Sequence, residues 1–69
     1  METLDQLRKR AGLQVKELTE LADISESSYR KMVRGEPVGE VLVYRVLRGL
    51  SERLKREITP DNVSGLNII

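Results

Sequence analysis

Glu26, Ser27, Arg30, Lys31 and Arg34 recur three and four residues apart, the spacing that sets side chains along one face of a helix. Tyr29, Met32 and Val33 fall between them and supply an inward apolar face. The polar set has chemistry that matches base edges. Lys31 can donate to guanine O6 and N7, Ser27 can donate or accept, and Glu26 can accept from a cytosine amino group. Glu26 has a second use as a first-turn acid, where it meets the positive end of the helix dipole. Arg34 is placed to clamp a phosphate. Gln14 can donate to another from the start of an earlier helix, beside amides that no helical partner satisfies.

Two helices and a turn must position these groups. Leu18, Leu21 and Ala22 recur at helical spacing, Asp23 and Ile24 interrupt the pattern, and Ser25 then offers an N-cap. Ser25 is therefore grouped with the DNA-binding side chains of the helix it opens. Gly35 can take the left-handed conformation that ends a helix, and Pro37 stops any continuation. Helices that meet this sharply cannot lie antiparallel. The second projects across the first with a polar face free, which is the geometry of a DNA-reading helix-turn-helix.

Glu17-Leu18-Thr19, Ile24-Ser25, Tyr29 and Arg34-Gly35 stand at the relative spacings of the phage-repressor-like helix-turn-helix family, which contains Cro and the Xre-type regulators. The chain resembles that family from about Leu4 to Leu50. The resemblance implies a lambda-repressor-like fold and puts base-reading positions at Glu26, Ser27 and Lys31. Three positions depart from the family pattern: Thr19 stands for alanine, Asp23 for glycine, and Val15 for a glutamine that touches the DNA backbone. Aspartate tolerates a left-handed turn, and threonine is small enough for close packing. Valine has nothing to offer a phosphate. Where relatives pair an arginine with a glutamate, this chain has Arg8 and Val33, so the resemblance implies no such ion pair and an Arg8 free for solvent or phosphate.

The remaining segments read as helices too. Thr3 and Gln6 form a capping-box pair before an inward stripe of Leu4, Leu7 and Ala11 that Gly12 ends. A longer fourth helix carries Val43, Val46, Leu47, Leu50 and Leu54, with Gly49 suited to a close crossing. Thr59 and Pro60 announce a short fifth helix ending near Gly65. The expected fold is thus an all-α, compact five-helix domain spanning residues 1–69. Ile58, Val63, Leu66, Ile68 and Ile69 exceed what a short last helix buries, which suggests a homodimer contact.

Twelve basic and eleven acidic residues leave a net charge of +1, small for a nucleic-acid binder. Distribution counts for more than the sum. Bases gather as Arg8-Lys9-Arg10, Arg30-Lys31 with Arg34, and Arg53 with Lys55-Arg56, while Glu36 and Glu40 would repel phosphate in the loop after Gly35. The first and third clusters also read as solvated helix faces. Cysteine and histidine are absent, which excludes a disulfide scaffold, thiolate metal sites and the commonest general base. No metal, cofactor or small-molecule ligand is expected, and no carboxylate pair or glycine-rich loop suggests an enzyme. The run Val41–Tyr44 is too short to span a bilayer, and the acidic start is unlike a secretory signal, so cytoplasmic residence is expected. The sequence therefore leads to a transcriptional regulator, of repressor type, that binds duplex DNA as a dimer on an inverted repeat. Its rival is a helical protein-interaction module on a diverged helix-turn-helix scaffold.

Overall fold

Thr3 opens the first helix with a reciprocal cap: its hydroxyl accepts from Gln6 N at 3.2 Å, and Gln6 Oε1 accepts from Thr3 N at 2.9 Å. In the computed structural model, which describes residues 1–69, α1 spans Leu4–Arg10 and buries Leu4 and Leu7. The next helix, α2 (Val15–Ala22), starts at Gln14, whose N–H donates to Glu17 Oε1 at 2.9 Å. Asp23 ends it in the left-handed region at φ 58°, a conformation that aspartate adopts more readily than most side chains. Ser25 then caps α3 (Glu26–Val33) by accepting from Ser28 N at 3.1 Å. The longest helix, α4 (Glu40–Leu54), buries Val43, Val46, Leu47, Gly49 and Leu50.

These helices enclose one core. Leu7, Leu18, Tyr29, Met32, Val43, Val46, Leu47 and Leu50 are its largest fully buried side chains. Thr19 is buried beside them, its hydroxyl donating to Lys16 O at 3.1 Å, so close packing at this position leaves no unpaired group. Leu21 is half exposed and lies over Gly49. Val33, expected to face inward with Tyr29 and Met32, is instead 43% exposed.

The all-α, five-helix expectation fails: the fifth helix is missing beyond Leu54, and short strands form there and in two earlier segments. There are four α-helices and two small parallel sheets. The start signal at Thr59 and Pro60 does operate, since Asn62 Oδ1 accepts from Thr59 N at 3.0 Å, but it yields only a 3₁₀ turn, Pro60–Asn62. The segment before Gly65 is too short to offset helix nucleation, while β-branched Val63 becomes buried by joining a ladder. Strand β1 (Glu2–Thr3) runs parallel to β3 (Val63–Ser64), and β2 (Pro37–Val38) runs parallel to β4 (Asn67–Ile68). Gly65, at φ 86°, turns the chain between β3 and β4. A Cβ on Gly35, itself at φ 79°, would stand 3.5 Å from the Gly65 carbonyl, so the turn after α3 rests on the turn in the tail.

The tail is therefore used within the chain. Ile58 and Val63 belong to the core, Leu66 and Ile68 pack against it, and Ile69 alone is 77% exposed. The apolar surplus that suggested a homodimer contact is thus mostly covered within the chain itself, Ile69 excepted. No helix is long and apolar enough to cross a membrane.

Candidate nucleic-acid interface

Burial of Tyr29 and Met32 settles how α3 is rotated, because both lie on one side of the helix and are almost inaccessible. Ser25, Glu26, Ser27, Arg30, Lys31 and Arg34 are all exposed as a consequence. Gln14 is exposed at the N-terminus of α2, on a separate element. Val15, which follows it, is half-buried against the core. The turn between α2 and α3 is held from below by Arg45, whose Nη1 donates to the Asp23 carbonyl at 3.3 Å.

Most charges on this face are paired. Arg30 lies 3.4 Å from Glu26, one turn away, and Arg34 pairs with Glu36. Both pairs are solvated, and exposed ion pairs are worth about 0–1 kcal/mol, so each arginine can exchange its carboxylate for a phosphate at small cost. Lys31 has no ion partner. It is the free cation of α3, at the position where the residue pattern placed a base reader. Glu26 sits in the first turn, where the dipole favours it, and also holds Arg30, so both uses foreseen for it are geometrically open.

Arg8 differs from the expectation of a free side chain. Its Nε donates to Asp5 Oδ1 at 2.9 Å and its Nη1 to the Leu13 carbonyl at 2.7 Å, and its side chain is 14% exposed. The Tyr29 hydroxyl donates to the same Asp5 oxygen at 3.0 Å. Asp5 thus joins α1 to the base of α3. The Arg8 hydrogen bond holds the Asp5 carboxyl below the usual aspartate range, with the Tyr29 hydroxyl adding to the effect against burial. Burial pushes the Tyr29 phenol well above its ordinary value, and the neighbouring Asp5 charge pushes it the same way.

Sequence reasoning missed this network. Asp5 and Arg8 stand three residues apart on a helix, which is a readable signal for a pair. Tyr29 lies 24 residues from Asp5, and no local pattern connects them. Beside the network a cleft of about 300 Å³ opens between α1, the start of α2 and α3, with Arg8, Arg30 and Arg34 among its lining and Val15, Tyr29 and Val33 as its apolar part. It was not foreseen either, because Val33 was assigned to the core. The chain matches no family model, no curated protein and no solved structure.

Proposed function

We propose that the protein binds duplex DNA by laying α3 in the major groove and acts as a transcriptional regulator. The observation that carries this reading is the exposed face of α3, where Ser27, Arg30, Lys31 and Arg34 stand opposite buried Tyr29 and Met32. A helix so presented fits the groove's width, and its donors suit guanine and mixed base edges. Ser27 and Lys31 read, Arg34 and Gln14 hold phosphates, Ser25 keeps the helix end rigid, and Glu26 and Arg30 divide their roles between each other and the bases.

Selection of bound sequences from random duplex DNA tests the proposal. An enriched motif is expected, with affinity that falls with salt at a slope of about −0.9 per phosphate neutralised. A flat pool, together with fluorescence anisotropy that shows no salt-sensitive binding, would overturn it. The same selection reads symmetry, since two copies of α3 about 34 Å apart select an inverted repeat.

One observation favours a second reading, that of a protein-interaction module. The pairing of Arg30 and Arg34 with glutamates leaves Lys31 as the only unneutralised cation on the face, and Val41 and Tyr44 are exposed on α4. A module of that kind would pass through a heparin column unretained. The DNA binder should be retained and elute with salt.

A further inference from the structure

Helices α2 and α3 are held at their two ends by different means. At the turn, the left-handed Asp23 and the donation from Arg45 to its carbonyl at 3.3 Å fix the joint. The far ends are not packed shut, because the cleft of about 300 Å³ lies there with Val15 of α2 and Val33 of α3 on its walls. Apolar contact alone therefore does not set the spacing of the two helices at that end. Two residues of α1 reach both helices instead. Arg8 Nη1 donates at 2.7 Å to the Leu13 carbonyl, one residue before Gln14, the N-cap of α2. Its Nε donates at 2.9 Å to Asp5 Oδ1, and that same oxygen accepts from the Tyr29 hydroxyl of α3 at 3.0 Å. These bonds run from Leu13 through Arg8 and Asp5 to Tyr29, across the end that packing leaves open.

We infer that Asp5 and Arg8 are positioning residues: together they set the rotation of α3 against the start of α2, and with it the placement of Ser27 and Lys31 relative to Gln14. The hydrogen bonds suit that task because they are directional, and the Arg8 side chain is only 14% exposed, so water competes little for them. The guanidinium is a planar fork, which fixes two acceptors at once. A rotation of α3 by about 10° would carry a side-chain tip, about 5–6 Å from the helix axis, through about 1 Å. That exceeds the tolerance of a hydrogen bond to a base edge, whose length is about 2.7–3.2 Å. Contacts from long, flexible cations to phosphate absorb such a shift, so base preference depends on the network more than total affinity does. The consequence for DNA rests on the proposed reading of α3, whereas the placement of the two helices does not.

Two variants test the role without changing net charge. Tyr29→Phe keeps the ring and removes the hydroxyl, and Arg8→Lys keeps the cation but lacks the fork that meets both acceptors. Ser51→Ala is the control, since it removes the acceptor for Ile58 N at 2.9 Å and weakens a junction that shares no hydrogen bond with the network. Residual dipolar couplings of the free, full chain, well below every melting point, should show α3 turned relative to α2 by about 5° or more in the first two variants, which is about half an ångström at the side-chain tips. No turn is expected in the control. On duplexes from the selection described above, both variants should lose about fivefold or more of the preference for the enriched motif over a scrambled duplex, while affinity for the scrambled duplex stays within about twofold. Unturned helices in Tyr29→Phe and Arg8→Lys, or an equal effect in Ser51→Ala, would overturn the positioning role. Turned helices with preference intact would overturn its link to base reading. A wild-type chain that binds no duplex overturns the DNA reading instead, and the couplings then judge the placement of the helices by themselves.

Discussion

Asp5 accepts from both Arg8 and Tyr29, so one carboxylate joins α1 to α3 and makes stability depend on pH. Its folded pKa is depressed, first by Arg8 and then by Tyr29 against burial. The stabilisation is therefore present above the ordinary aspartate range, near about 3.9, and is lost as pH falls through the lowered folded value. Tyr29 has the opposite sign: its raised pKa contributes stability that is fully present below the ordinary tyrosine range of about 10 and is lost as pH rises through the raised folded value. Melting temperature against pH should show a plateau with a decline at each end. Asp5→Asn should lower the plateau by about 1–3 kcal/mol and flatten the acid decline, whereas an unchanged acid limb would remove Asp5 from the account. On the outer face, Lys31→Ala should erase preference at one base position, at about 1–3 kcal/mol of discrimination, while Arg34→Ala should weaken all sequences alike. Glu26→Gln keeps shape and removes charge. Non-specific affinity at low salt should rise and preference should change at one or two base pairs. If only the melting temperature moves, Glu26 is a helix-terminus acid and no reader.

At the scale of elements, Gly49 shows how a pattern can suggest the wrong energetic sign. A glycine inside a helix, facing another helix, suggests a crossing too close for any side chain. A Cβ at Gly49 would instead meet Leu21 Cδ2 at 3.4 Å and Cγ at 3.5 Å, ordinary contact with a half-exposed side chain that can yield. The gain in helix propensity, about 0.8–1 kcal/mol, should then prevail. Gly49→Ala is expected to stabilise the protein by roughly 0.5–1 kcal/mol in urea unfolding. Destabilisation would mean that Leu21 is pinned in place. The cap of α3 has the ordinary sign: Ser25→Ala removes the acceptor for Ser28 N and should cost about 1 kcal/mol. That loss falls on the helix that carries the exposed Ser27, Arg30 and Lys31.

The whole molecule is tied together by contacts between its ends and its middle. Strand β4 reaches back to β2, and Ile69 N donates to the Val38 carbonyl at 3.1 Å. Leu66 and Ile68 pack on the core from there. Removal of Leu66 to Ile69 should therefore lower stability by roughly 2–4 kcal/mol, the scale of two partly buried aliphatic side chains with their ladder. The sedimentation mass should stay that of one chain before and after. A mass that halves on truncation would return the tail to the role of a contact between two copies.

Much of this architecture was legible in local pattern. The Thr3–Gln6 cap, the left-handed Asp23, the Ser25 cap and the stop at Gly35 each depend on a few neighbouring residues and their own backbone preferences. So does the outward set on α3, because amphipathic spacing orients a helix once its apolar residues are buried. The sequence by itself thus determined the helix-turn-helix segment and the exposure of Ser27, Arg30, Lys31 and Arg34. Tertiary structure alone decided the rest. Whether Val63 continued a helix or joined a strand depended on the backbone of Glu2–Thr3, some sixty residues away, and no local propensity carries that pairing. Spacing set Val33 inward with Tyr29 and Met32, and only the packing of α3 against α1 left it at the rim of a cleft. Arg8 had a partner one turn away, yet its place beside Tyr29 required the fold to bring α1 and α3 together. Long-range pairing and the rotation of a marginal residue are decided by what else is within reach, and reach is a property of the folded chain.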